Sequence, residues 1–262
     1  MKQRVITAIV ALIIFIPIII YGSWIIDLAA AVLGIVAIHE FFQMRYPGQH
    51  KWVIEGITEL AALTIILPVT NWLPSLTNNF QLYYVFVMIL MALTVFEQHS
   101  FNIDDLGFPV FTSLYVGIGF STFVAARNNS LIVLLFALFI VWSTDIGAYM
   151  IGRKIGRHKL APTVSPNKTV EGAVGGILCA VIVTALYMWK FGAYFPYSPL
   201  VMIVLAIVFS IAGQFGDLVE SAYKRHYGVK DSGNILPGHG GILDRFDSLL
   251  FVFPIMALFG LF

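Results

Sequence analysis

The stretch PLVMIVLAIVFSIAGQFGDLVES, residues 199–221, decides the fold. Its apolar run approaches the roughly 20 residues that a helix needs to cross a bilayer. Only toward its end, at Asp217 and Glu220, does it acquire charge. Working outward, comparable windows lie at about 5–22, 24–44, 53–70, 80–97, 106–126, 131–152, 170–191 and 246–262. Short stretches such as YPGQH, LPVTNW, PSLTNN, RNNS and FPYSP separate many of them, where helices end and the chain turns. The expectation is an all-α, polytopic integral membrane protein of about nine spans. The first window has a basic start, but no small-residue cleavage site follows it, so it reads as a retained span rather than a signal peptide.

Composition agrees. Of the 262 residues, 59% are hydrophobic and 11% charged, whereas about a quarter of an ordinary soluble domain is charged. Fifteen Lys and Arg against fourteen Asp and Glu leave no basic excess of the kind a nucleic-acid binder carries. The single cysteine, Cys179, excludes internal disulfides and cysteine-pair zinc sites, and reads as a buried small hydrophobe.

Nine spans place the two termini on opposite sides. The N-terminus and the connections after spans two, four, six and eight then hold thirteen of the fifteen basic residues, with only Arg127 and Lys190 opposite. By the positive-inside rule that side is cytoplasmic. The acids gather there too, Asp27 excepted, which suggests a polar cavity facing the cytoplasm. The chain divides by this reading into scaffold spans at 1–130, available for contacts in a homodimer, and a catalytic membrane region at 131–262.

Polar residues concentrate between Gly213 and Asp247. On a helix Asp217, Ser221 and Lys224 share one face, with Glu220 nearby, and beyond a loop Asp244 and Asp247 are three apart on another. Ionisable groups at membrane depth cost several kcal/mol unless paired, hydrated or bound to a cation, so a site is the default reading. Carboxylates with open positions suit Mg²⁺, which takes a few protein oxygens and completes its shell with water and substrate phosphates. The loop KDSGNILPGHGG supplies Lys230, Asp231 and His239, with Gly240 and Gly241 allowing close backbone approach to a ligand. Arg225 and Arg245 flank it.

A second polar segment runs from Trp142 to Gly176. Asp145 lies inside a span and needs a partner. Lys154 and Arg157 read as topogenic charge. Ser165 followed by Pro166 resembles a helix start, whose N-terminus beside Lys168, Thr169 and Glu171 would suit phosphate. No P-loop string is present. Glu40, Glu55, Glu59 and Glu97 read as interfacial or headgroup contacts, and Trp24, Trp72 and Trp189 as interfacial aromatics.

The run SAYKRHYGVKDSGNILPGHGGILDRFD, Ser221 to Asp247, resembles the signature of bacterial-type phosphatidate cytidylyltransferases, also called CDP-diacylglycerol synthases. Tyr223 is a mild departure from it. The upstream strings DIGAY, GRKIG and SPNKTVEG are also similar, so the resemblance covers roughly the C-terminal half. It implies a bacterial inner-membrane enzyme that makes CDP-diacylglycerol and pyrophosphate from CTP and phosphatidate. It further implies a Mg²⁺ centre at Asp217 and Asp247, with room for a second, monovalent cation such as K⁺, and phosphate binding at Lys224. A CTP-dependent lipid-alcohol kinase would share the metal and nucleotide but transfer the γ-phosphate. A transporter would place its site near the bilayer midplane, often between internal repeats, and no repeat is visible. The absence of an Asp-Gly dipeptide argues against a CDP-alcohol phosphotransferase.

Overall fold

The computed structural model describes residues 2–69, 78–97 and 99–262, with side chains described from residue 6 onward except residue 8. Trp72 and parts of the expected turns at 67–79 lie outside the described residues. The helices are α1 (Lys2–Tyr21), α2 (Ser23–Arg45), α3 (Trp52–Ile66), α4 (Asn79–Phe96), α5 (Gly107–Asn129), α6 (Leu131–Ile155), α7 (Val170–Phe191), α8 (Pro199–His226), α9 (Leu243–Phe246) and α10 (Leu249–Leu258). Each of the nine apolar windows holds a helix. Among the described residues six are long and apolar enough to cross a membrane: α2, α4, α5, α6, α8 and the helix beginning at Val170. That is the architecture of a polytopic membrane protein.

Sequence chemistry sets several helix ends. Asn78 and Ser130 cap α4 and α6 by accepting from the amides of Phe80 and Ile132. Pro199 opens α8, where its missing N–H is not needed. The last apolar window is broken rather than continuous. Asp247 Oδ1 accepts from the Ser248 amide at 2.6 Å, a local bond that competes with the helical ladder between α9 and α10.

The chain forms two compact units, one of residues 1–124 with 232–243, the other of 125–231 with 244–262. In the first, a Cβ at Gly34 or Gly117 would run into Ile66 or Ile65, so these glycines let α2 and α5 approach α3 closely. Arg45 pairs with Asp105 at 2.7 Å and lies over the Phe108 ring.

In the second unit α6 and α7 meet along small residues. A Cβ on Gly172 or Gly176 would collide with the carbonyls of Ala148 or Thr144, and one on Gly147 with Cys179. Such small-residue seams let membrane helices approach at backbone distance. Cys179 is half-buried rather than buried, with its side chain packed against Gly147. Thr144 and Ser210 share a hydrogen bond at 2.8 Å that joins α6 to α8.

One local expectation is corrected. Ser165 and Pro166 do not start a helix; they lie in a two-stranded antiparallel hairpin, β1 (Lys159–Ala161) with β2 (Ser165–Thr169). The helix begins four residues later. Thr169, not Ser165, is the cap, because its hydroxyl accepts from the Gly172 amide at 3.1 Å. The all-α expectation therefore gains one small β element.

Candidate functional site

The close α6–α7 seam and the hairpin between these helices build one wall of a cavity, and α8 supplies the other. Its volume is about 470 Å³. Asp145, Tyr149 and Arg153 come from α6, Asn167, Lys168 and Thr169 from β2, and Gln214 and Asp217 from α8. Gln214 donates to the Ala173 carbonyl at 3.3 Å, which ties α8 to α7 one turn before Asp217.

Lys168 Nζ lies 2.5 Å from Asp217 Oδ2, with both side chains about one-third exposed to the cavity. Ser221 donates to the other Asp217 oxygen at 3.2 Å. The spacing on α8 thus pairs Asp217 with Ser221, but it does not add Lys224 to them. Lys224 instead turns to Glu220 and Asp244, each at 2.6 Å, in a largely buried triad. Its ammonium holds two carboxylates, while Lys168 is the ammonium that opens on the cavity.

Asp145 and Asp217 line the same cavity, and the backbone of Asp247 packs against Gly216, next to Asp217. Counting Glu220 and Asp244, five carboxylates face Lys168, Lys224 and, on the cavity wall, Arg153. Glu220 Oε1 is buried without a hydrogen-bond partner among the described residues. This excess of acidic oxygens is the donor chemistry of a hard cation. No three Asp, Glu, His or Cys side chains among the described residues form a ready-made cage. The set fits an ion such as Mg²⁺ that takes one or two carboxylates and fills its shell from substrate and water.

Several candidate residues have other local partners. Glu171 accepts from the Arg157 and His158 amides at 3.0 and 3.2 Å and meets His158 Nδ1 at 2.6 Å, closing the turn ahead of β1. Arg225 donates to the carbonyls of Val164 and Val229, joining the hairpin to the end of α8. Lys230, Asp231 and Arg245 are exposed. His239 and Gly240 belong to a turn in which the His239 amide donates to Leu236 O and the Leu236 amide to Gly240 O. The close approach expected of Gly241 is made to a protein carboxylate, that of Glu40, together with Ser232.

Sequence reasoning passed over Gln214, Asn167 and Tyr149, and counted Arg153 only among the basic residues of the second polar segment. Gln214 carried a signal, as a polar residue one turn before Asp217 inside an apolar span. Glu40 was read as an interfacial acid, yet it is buried and accepts hydrogen bonds from Ser232, Ile242 and Leu243.

A helical membrane protein with an acid-rich cavity beside a lysine-bearing hairpin is one class of enzyme scaffold for polyanionic substrates. The chain belongs to the cytidylyltransferase family, whose model matches residues 2–262. It is 44% identical over 264 residues to a phosphatidate cytidylyltransferase of Staphylococcus haemolyticus and to one of Staphylococcus saprophyticus, covering 98% of each chain. A phosphatidate cytidylyltransferase of Staphylococcus aureus is 41% identical over 263 residues, again with 98% coverage of both chains. Kinship therefore extends through the N-terminal half, where the sequence reading recognised only hydrophobicity.

Proposed function

We propose that this chain is a nucleotidyltransferase that converts CTP and phosphatidate to CDP-diacylglycerol and pyrophosphate. One observation carries the reading: in a chain of this family, Asp145, Lys168 and Asp217 converge on a single cavity. The reaction joins two polyanions, so the protein's task is to position them and offset their repulsion. A phosphate oxygen of phosphatidate attacks the α-phosphorus of CTP, and pyrophosphate leaves with the electron pair of the broken P–O bond. No strong base is required, because a phosphomonoester has a second pKa of about 6.

Lys168 and Arg153, which line the cavity, would hold CTP phosphates, and Thr169 and Asn167 would orient them. Lys224 would act indirectly, by holding Glu220 and Asp244 together. Asp217 and Asp247 would hold Mg²⁺, with Asp145 nearby. When bound, that ion supplies positive charge to the triphosphate oxygens and the leaving group. A second, monovalent cation would relieve the remaining carboxylate repulsion.

The finer topology belongs to the same proposal. Nine helix-containing windows and the thirteen-to-two division of basic residues support nine spans with a cytoplasmic N-terminus in the bacterial inner membrane. At 28 residues, α8 is about 42 Å long against a hydrocarbon core of about 30 Å, so its last turns, with Asp217 to Lys224, reach the interface. That brings a water-soluble nucleotide and a bilayer lipid to the same level.

The test is to incubate purified protein with labelled CTP, phosphatidate and Mg²⁺ and identify the products. Labelled CDP-diacylglycerol with pyrophosphate supports the proposal. Release of CDP with a phosphorylated lipid alcohol would point to a kinase instead.

A further inference from the structure

Glu40 lies five residues before the end of α2 and is 2% exposed. Both of its oxygens are engaged by one segment. Oε1 accepts from the Ile242 amide at 2.7 Å, and Oε2 accepts from the Leu243 amide at 2.9 Å and from Ser232 Oγ at 2.8 Å. Gly233 and Gly241 close around the same carboxylate, since a Cβ on either would collide with it. An acid on α2 thus grips both ends of the loop formed by residues 232–243.

The grip bears on chemistry through the chain itself. Ser232 follows Lys224 by eight residues, and Leu243 immediately precedes Asp244. Leu243 is also the first residue of α9, so Glu40 caps that short helix from a distant part of the sequence. Asp244, which meets Lys224, follows Leu243 directly along the chain, and Asp247 lies three residues further on.

We propose that Glu40 is a positioning residue for cytidylyl transfer, its carboxylate fixing the chain at Ile242 and Leu243 and so the placement of Asp244 and Asp247. The inference rests on the function proposed above. Only an ionised carboxylate suits this place, because three donors converge on two oxygens and bonds to a charged acceptor are the stronger kind. Glutamine would turn an NH₂ group toward one of those donors, and aspartate is one methylene short.

The test compares wild type, Glu40→Gln, Glu40→Asp and Ser232→Ala as purified proteins in detergent, with the folded fraction measured for each. Hydrogen exchange at the Ile242 and Leu243 amides reports the grip directly. Turnover of CTP and phosphatidate at several Mg²⁺ concentrations reports its consequence. Glu40→Gln is expected to accelerate exchange at both amides and to lower kcat per folded molecule about tenfold to a hundredfold, with a smaller change in KM for CTP. Glu40→Asp shifts both readouts in the same direction. Ser232→Ala, which removes one donor and leaves the carboxylate, gives a loss of about two- to tenfold.

A folded Glu40→Gln protein with wild-type kcat, or with both amides still protected, overturns the proposal. Should Glu40→Gln not fold, Ser232→Ala decides, and unchanged exchange and kcat in that variant overturn the proposal equally. A wild-type protein that makes no CDP-diacylglycerol overturns the function, and the positioning role with it. The exchange data then still tell a gripped loop from a free one, which separates the two failures.

Discussion

Asp217→Asn separates the chemistry of the cavity from its architecture. The substitution preserves shape and, with its carbonyl kept toward Ser221, replaces the oxygen 2.5 Å from Lys168 with an NH₂ group. With about one-third of each side chain exposed, that ion pair contributes only about 0.2–1 kcal/mol to stability. At about 2–4 °C per kcal/mol for a protein of this size, the melting temperature should fall by no more than about 4 °C. Activity should respond very differently. Removing one preorganised electrostatic group from an active site typically costs about a hundredfold to a thousandfold in kcat, and Asp217 also serves as a proposed cation ligand. The assay follows pyrophosphate release from CTP and phosphatidate across a Mg²⁺ titration, alongside a thermal melt of the same preparation. Near-normal turnover with an unchanged Mg²⁺ dependence would refute the assignment. So would a loss of activity no larger than the loss of folded protein.

Lys224→Met leaves Glu220 and Asp244 buried without their shared cation and should destabilise the protein by about 3–5 kcal/mol, seen as a lower melt and yield; Lys168→Met should fold normally and lose turnover. Gly176→Ala places a methyl group 2.7 Å from the Thr144 carbonyl, so α6 and α7 must separate, at a cost of about 1–3 kcal/mol in a denaturation experiment. Thr169→Ala removes the cap of α7 and should cost about 1 kcal/mol by the same measurement.

The helices were legible because each apolar window carries its own evidence. Lipid-compatible length, basic flanks, the caps at Asn78 and Ser130 and the proline at 199 are local features. The start of α7 was misplaced because two cap signals compete there, Ser165-Pro166 and Thr169. Pairing of β2 with β1 in a short hairpin, which keeps Ser165 to Thr169 extended, settles it in favour of Thr169. The candidate site was legible as a gathering of acids and lysines, but not in its pairings. Helical spacing put Lys224 with Asp217, whereas Lys224 binds Glu220 and Asp244, and the partner of Asp217 comes from the hairpin.

Hydrophobic length and charge distribution are properties of a linear chain, so the membrane-spanning helical class and the inventory of acids, lysines and glycines near the helix ends can be read along it. Which groups serve each other depends on how that chain packs. Lys168 reaches Asp217 because glycines let α6 and α7 close to backbone distance beneath the hairpin, and Glu40 reaches Ser232, Ile242 and Leu243 across some two hundred residues. A buried carboxylate takes whatever donors the fold brings within 3 Å, and nothing in its immediate sequence names them.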